Sequence, residues 1–455
     1  MNIFSLSHYG ELSTLPSPIS AMTSDFSHSF RPGIDINLGV GYVNDQTIPS
    51  QELLDCFSYI LKHQHAFKSS LNYGAAQGSQ NLIQSIISYY VRNSIGGLTA
   101  QDFLHLDVAI GANGATSILD AIADVVPKGV VFTVEPLYYI YTETLQRKGF
   151  TVCAIPETDE GIDINYLEQT IQTIDSSTIS FFYIITVNNP TTCIVSNSSK
   201  QQIIRIAEQI AQKRGFKVPV FFDKAYEDII YDTSVEKPIS GLLYDTSNCV
   251  YEIGTLSKII APALRVGYII GSPGNLLTAI VQRNNDVGFS ASLLLQDISS
   301  VFLDLHIDSH RLKVLQGYAH KSQILQKYIS EHLASYVERV QGGKAGFYMY
   351  ITFGKIQTHS ESEFYTYLSR KTGDAKIDGK PNALHPRLVY IPGAICMTEQ
   401  SEYKELRLRQ LRISFGFETS AELERAVLLM KEAAEYAQKK NPDTESGFKF
   451  HERES

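Results

Sequence analysis

The chain has 455 residues, 44% of them hydrophobic and 19% charged. That is length for two or three domains and a composition that excludes overall disorder. Its 48 acidic against 39 basic residues leave a net charge of −9. This argues against nucleic acid and against an anionic membrane surface as partners.

The apolar run from Ile179 to Val187 is far short of the ~20 residues a membrane span needs. The first 30 residues hold no Lys or Arg, so no secretory signal is expected. The five cysteines (Cys56, Cys153, Cys193, Cys249 and Cys396) are scattered and odd in number. They fit a reducing cytoplasm better than a disulfide framework. His63 with His65, and His306 with His310 beside Asp304 and Asp308, are the only histidine pairings of note. Neither has the spacing of a zinc quartet. Solvated helix faces and no metal are expected.

In chain order, Gln51 to Lys62 and Gln80 to Arg92 have the apolar period of amphipathic helices. Leu106 to Ile110 predicts a short strand, followed by Gly111-Ala112-Asn113-Gly114 and a helix through Ala123. Gly129 to Val134 predicts a strand that ends at Glu135-Pro136. Ile179 to Thr186 is apolar without alternation, the pattern of a strand covered on both faces. Ser199 to Arg214 places Ile203, Ile206, Ala207 and Ile210 on one helical stripe, with Gly215 as the stop. Val220 to Phe222, Cys249 to Ile253 and Val266 to Ile270 predict three more strands.

Strand alternating with helix over this length means an α/β fold, a mostly parallel sheet between two helical layers. After about residue 315 the texture becomes α+β. Strands are expected at Phe347 to Phe353, Arg387 to Ile391 and Gln410 to Phe415. Thr419-Ser420-Ala421-Glu422 is a capping box. The helix it opens should turn Leu423, Ala426, Val427, Met430 and Ala434 inward. The expected division is an arm at 1–50, a large domain at 51–315, a small domain at 316–440 and a frayed tail at 441–455.

Ligands of a parallel sheet bind beyond the carboxyl ends of its strands. The Gly111 to Thr116 turn leads there into a helix N-terminus, where free N–H groups suit a phosphate; taken alone, such turns are common. Asn188-Asn189-Pro190-Thr191 follows another strand and taken alone is a turn. Asp223 ends the buried Val220-Phe221-Phe222 strand, where a carboxylate is costly without a positive partner. Lys258 follows Gly254-Thr255-Leu256-Ser257 and precedes Ile259-Ile260, with Arg265 seven residues on. A solvated surface lysine fits poorly between apolar neighbours.

These segments together resemble the fold-type I pyridoxal-phosphate enzymes, the class I/II aminotransferases. Ser257-Lys258 through Arg265-Val266-Gly267-Tyr268 is the most specific match, with Asn189-Pro190 and Asp223-Lys224-Ala225-Tyr226 upstream in the family's order. The likeness runs from Pro16 to about Ala437. It is nearest to the kynurenine/α-aminoadipate aminotransferase subgroup, through Pro16-Ser17-Pro18-Ile19, Leu38-Gly39-Val40-Gly41, Ile48-Pro49, Glu135-Pro136-Leu137-Tyr138 and Leu411-Arg412-Ile413-Ser414-Phe415.

The resemblance implies a large domain with a seven-stranded type of sheet, a smaller α+β domain and pyridoxal 5′-phosphate as cofactor. It implies transfer of an amino group from an L-amino acid to a 2-oxo acid by a ping-pong cycle. Lys258 would hold the cofactor as a Schiff base and shuttle the proton. Asp223 would pair with the pyridinium nitrogen, a charge-assisted bond of about 1.5–3 kcal/mol. Asn189 and Tyr226 would donate to the ring's phenolic oxygen, and Tyr138 would stack on its face. Arg265, Thr255, Ser257, Thr116 and the Ala115 N–H would hold the phosphate. Tyr73 would reach the phosphate of a second subunit, which implies a homodimer with shared sites. Arg412 would fork onto the substrate α-carboxylate, with Asn189, Val40 and Gly41 beside the substrate.

The chain departs from the family pattern at four places. Thr192 stands where a glycine follows Asn-Pro-Thr, Ser20 where the subgroup has an arginine near the substrate end, Val40 where it often has glycine, and Ala115 where serine is frequent. The second and third changes leave the substrate open. They also keep an alternative open, a lyase, decarboxylase or oxidase on the same scaffold. A cofactor-sensing regulator would carry a DNA-binding domain ahead of this module. About 35 residues precede Leu38, so an enzyme is expected.

Overall fold

The computed structural model describes residues 4–15, 17, 20, 24, 29–63, 65–379, 385–398, 401 and 403–440. Pro16, Pro18 and Ile19 of the N-terminal motif and the 441–455 tail lie outside the described residues.

The first strand is β1 (Ile36–Asn37). A run of eight follows: β2 (Asp107–Ile110), β3 (Val130–Glu135), β4 (Thr151–Thr158), β5 (Gly161–Ile162), β6 (Ile179–Ile185), β7 (Val220–Asp223), β8 (Val250–Thr255) and β9 (Gly267–Gly271). These eight form one sheet in the order β2-β9-β8-β7-β6-β3-β4-β5. From β8 through β7, β6 and β3 to β4 all neighbours are parallel. β9 runs antiparallel to both β2 and β8, and β5 antiparallel to β4. The α/β expectation therefore holds, with a parallel centre and antiparallel edges. The two-residue β5 adds an eighth strand to the seven the resemblance implies.

The centre of the sheet is apolar on both faces because helices cover both. Every residue of β6 and β7 is buried. Phe181 meets Phe221 edge-on at 5.4 Å and Phe132 stacks on Phe182 at 5.2 Å. The helix Asn197–Arg214 buries Ile203, Ile206, Ala207 and Ile210. The Ser196 hydroxyl caps its start, and Gly215 ends it in the left-handed region at φ +75°.

The smaller sheet is wholly antiparallel. It is built from β10 (Val337–Gly342), β11 (Tyr348–Phe353), β13 (Ile391–Pro392) and β14 (Gln410–Ser414), in the order β10-β11-β14-β13. The helix Ser420–Lys440 packs with it. Leu423, Ala426, Val427, Met430 and Ala434 are all buried, and the Glu422 N–H donates to Thr419 Oγ1 at 3.3 Å, as the capping box predicts. The strand expected over Arg387 to Ile391 is divided. β12 (Leu388–Val389) pairs with β1, and β13 pairs with β14. Between them Tyr390 is fully buried, its hydroxyl donating to the Thr358 carbonyl at 2.6 Å.

One expectation is corrected, and one strand goes beyond those expected. β10 was not legible, because most of its side chains face solvent or lie half-buried and carry no apolar signal. His310 is not on a solvated face. It is 6% exposed, with Nε2 2.8 Å from the Ile259 carbonyl, and burial holds its imidazole below the usual range. Among the described residues no group of three or more His, Cys, Asp or Glu side chains is arranged to hold a metal. No helix among them is long and apolar enough to cross a membrane.

The N-terminal segment is tied to the chain just ahead of β12 by a buried carboxylate. Burial opposes the charge on Asp35, but hydrogen bonds from Arg31 and Arg387 outweigh it and hold the acid well below the usual carboxylate range. β1 then adds to β12, and the Ser414 N–H donates to the Leu38 carbonyl at 2.7 Å. This leaves Gly39, Val40 and Gly41 facing the carboxyl ends of the large sheet's strands.

Candidate active site

The parallel strands β3, β6, β7 and β8 end along one edge of the large sheet. Register places Asp223 level with Ile185 on one side and Ile253 on the other. A cavity of about 140 Å³ opens there, lined by Ala115, Thr116, Tyr138, Asn189, Asp223, Tyr226, Thr255, Ser257, Lys258 and Arg265, together with four apolar residues. Ten positions singled out in the sequence thus converge on one space.

Asp223 is 5% exposed. Its Oδ2 accepts from the Tyr183 hydroxyl at 2.8 Å and its Oδ1 from the Ala225 N–H at 3.0 Å. Burial pushes its pKa up, against those two hydrogen bonds and the field of Lys258. Among the described residues it forms no salt bridge. The neighbouring Lys224 points away, into a buried network with Glu252 at 2.9 Å and Glu227 at 3.1 Å. The carboxylate is therefore buried and lines a cavity, with no ion pair among the described residues.

The opposite end of the cavity is a donor cradle. The Gly111 N–H donates to the Gly267 carbonyl at 2.9 Å, which clamps the turn ahead of the helix Gly114–Val125. A side chain at Gly267 would put its Cβ 2.1 Å from the Ala115 nitrogen, so only glycine lets β9 approach that helix start. Ser257 and Thr255 are joined through their hydroxyls at 3.0 Å. Arg265 sits in the left-handed region at φ +53°. Its guanidinium is braced by Asn113 Oδ1 at 3.1 Å and by the Pro262 carbonyl at 3.2 Å. A helix N-terminus, two hydroxyls and a fixed guanidinium suit an anion.

A second cavity of about 250 Å³ adjoins the first, lined by Gly39, Val40, Gly41, Tyr139, Tyr348, Ile391 and Arg412 among others. Tyr138, Asn189, Tyr226 and Lys258 line both cavities. The two spaces therefore meet at the lysine. Arg412 lies on β14, with Leu411 and Ile413 facing the core on either side, as alternation requires. Its Nη1 donates to Asn189 Oδ1 at 3.0 Å and its Nη2 to the Gly39 carbonyl. The Lys258 amine is 3.5 Å from the Gly41 carbonyl.

Tyr73 is not brought to these cavities. It is 78% exposed, beside Phe289 at a ring distance of 5.6 Å. Ser20 is exposed and lines neither cavity. Three contributors were not read from the sequence. Tyr183 holds Asp223. Tyr348 packs its ring on the Arg412 guanidinium at 4.3 Å and its hydroxyl on Tyr226 at 3.0 Å. Glu157 accepts from Asn188 and Thr191, each at 2.7 Å, and so fixes the loop that carries Asn189. Thr192, in that loop, keeps the turn a glycine would make, at φ +54°.

A mixed sheet with a lysine and a buried carboxylate in one cavity at the strand ends defines a class, the pyridoxal-phosphate-dependent enzymes of fold type I. More narrowly, the chain belongs to the aminotransferase class I and II family, whose model matches residues 34–426. The multiple substrate aminotransferase of Thermococcus profundus superposes with a TM-score of 0.78 at 17% identity, over 96% of this chain and 98% of that one. An aromatic-amino-acid aminotransferase of Thermococcus litoralis is 22% identical over 68% of this chain and 72% of its own length. An uncharacterized HTH-type transcriptional regulator of Bacillus subtilis, YcxD, is 26% identical over 61% of this chain. The match spans only 61% of that regulator's length.

Proposed function

We propose that this chain is a pyridoxal-phosphate-dependent aminotransferase that moves an amino group from an L-amino acid to a 2-oxo acid. The observation that carries this is one continuous space with a buried carboxylate at one end, an arginine at the other and a lysine between them. The buried Asp223 lies in one chamber, Arg412 in the other, and Lys258 lines both.

The residues present fit the cofactor. Asp223 is a buried carboxylate with no ion pair among the described residues, and a protonated pyridine nitrogen would supply one. The N–H groups at Ala115 and Thr116, the Thr255 and Ser257 hydroxyls and Arg265 form a cradle for its phosphate. When bound, pyridoxal phosphate supplies an aldehyde that condenses with amines and a protonated ring that accepts the electron pair of the substrate's Cα–H bond. Asp223 would keep that ring nitrogen protonated. Tyr138 would hold the ring face, and Asn189 and Tyr226 would donate to its phenolic oxygen. The Lys258 amine, with no carboxylate partner among the described residues, would take the proton from the substrate α-carbon and return it to the cofactor carbon that carries the aldehyde, two bonds away. Arg412 grips the α-carboxylate through its fork and so aims the Cα–H bond at Lys258. The covalent carrier makes the cycle ping-pong.

Val40, Tyr139, Ile140 and Ile391 supply the walls around the substrate. We assign the large domain to 51–315 and the small domain to 316–440; the helix Ile307–His332 runs through that boundary and joins them. Leu54, Leu61, Leu71, Tyr73, Phe289 and Leu305 are all exposed. They are the apolar face we assign to a homodimer, with Tyr73 reaching the second subunit's site. Five free cysteines and no membrane-spanning helix among the described residues support a cytoplasmic protein.

The test is a half-reaction with protein in excess over an amino-acid panel. Stoichiometric 2-oxo acid, with the cofactor left in its amine form, supports transamination. Release of ammonia or carbon dioxide instead supports a lyase, decarboxylase or oxidase. Cofactor uptake without turnover, together with DNA binding, supports the regulator that the name of YcxD suggests.

A further inference from the structure

We propose that Tyr348 is a positioning residue that couples the two chambers: its ring holds Arg412 for the substrate carboxylate and its hydroxyl turns the Tyr226 proton toward the cofactor. The inference rests on the functional reading above and deepens it.

Tyr348 opens β11 and is 2% exposed. Its ring lies 4.3 Å from the Arg412 guanidinium carbon, within the range of a cation–π contact. The Arg412 Nε atom is buried and has no hydrogen-bond partner among the described residues, so the aromatic face is what supports that side of the cation. The same tyrosine's hydroxyl is 3.0 Å from the Tyr226 hydroxyl, with the two rings edge to face at 5.5 Å.

The hydroxyl is held from a third side. A Cβ on Gly41 would lie 2.2 Å from the Tyr348 oxygen, so the N-terminal segment closes directly over it. Of the two tyrosines only Tyr226 lines the Asp223 chamber. The pair shares one proton between its oxygens and has one left to donate. With Tyr348 donating to Tyr226, the remaining proton is the one on Tyr226, and it is directed into the chamber that would hold the cofactor's phenolic oxygen. Donation in series strengthens the second bond. The other titratable groups facing Tyr348 are Tyr138, Tyr139, Tyr318 and Arg412, with Lys258 across the cavity.

Two variants separate the ring from the hydroxyl. Tyr348→Phe removes one oxygen and leaves the Arg412 contact. The pH midpoint of the bound cofactor's visible absorbance change should rise by about half a unit or more, since a weaker donor leaves the nitrogen on Lys258 more basic. KM for amino acids should stay within about twofold. Tyr348→Leu removes the ring as well, and KM should rise about tenfold. A Tyr348→Phe titration that superposes on the parent's overturns the hydroxyl relay. A Tyr348→Leu protein with the parent's KM overturns the support of Arg412. Thermal melts show whether the Leu variant folds; if it does not, the Phe variant still decides the relay. If the parent protein takes up no cofactor absorbance at all, the underlying functional reading fails instead.

Discussion

The Tyr183 hydroxyl donates to Asp223 Oδ2 at 2.8 Å from the neighbouring strand of the sheet. The Ala225 N–H holds the other oxygen, so the carboxylate cannot rotate. Tyr183→Phe should retain the cofactor but lower kcat by about tenfold, because a hydrogen bond to a charged group is worth about 1.5 kcal/mol at the low end. Asp223→Ala removes the charge itself and should lower kcat by about 10² or more. Steady-state rates at saturating amino acid distinguish the two. Equal losses would mean that Tyr183 does more than orient Asp223.

Arg412→Ala should raise KM for amino acids by roughly 10–100-fold, the equivalent of losing a charge-assisted bond. Cofactor absorbance should not change, because Arg412 lines only the second cavity. An unaltered KM would remove Arg412 from the carboxylate site.

Glu157 gives the pH dependence of stability a specific source. Burial pushes its carboxyl up to about 7, against hydrogen bonds from Thr191, Asn188 and Gln341. The folded protein therefore binds more protons than the unfolded chain between about 4.5 and 7. Stability contributed by this group is present below that window and is lost as pH rises through it. Glu157→Gln keeps the acceptor for Asn188 and Thr191 and removes the titration. Urea melts across the window should show a flatter slope in the variant than in the parent. Parallel slopes would show that Glu157 is ionised throughout.

Thr192 holds φ +54°, a region that β-branched residues rarely adopt, and its buried hydroxyl has no partner among the described residues. Thr192→Gly should relieve both and stabilise the chain by about 1 kcal/mol after the entropy of the added glycine. A denaturation midpoint that falls would mean that the lost packing of the Thr192 methyl outweighs the strain.

The parts of this fold that were legible share one property: their signal lies along the chain. β6 and β7 were plain because every residue in them is buried. The last helix was plain because its cap and its apolar stripe follow one another directly. β10 and the division of β12 from β13 depend on which sheet edge the chain reaches, and no local period encodes that. The site divides in the same way. Asp223 and Lys258 stood out because a charge beside an apolar strand needs a reason. Tyr183 and Tyr348 look like core aromatics in the sequence, and only the fold places their hydroxyls against Asp223 and Tyr226. Tyr73 carries no cavity contact within one chain, so its role stays with the proposed dimer.

The most direct measurement is covalent capture. The protein is incubated with pyridoxal phosphate, reduced with borohydride, digested and mapped by mass spectrometry. One phosphopyridoxyl group per chain, on Lys258 and absent from Lys258→Ala, is the result predicted. A chain that stays unlabelled, or that is labelled at another lysine with Lys258 intact, would contradict the account.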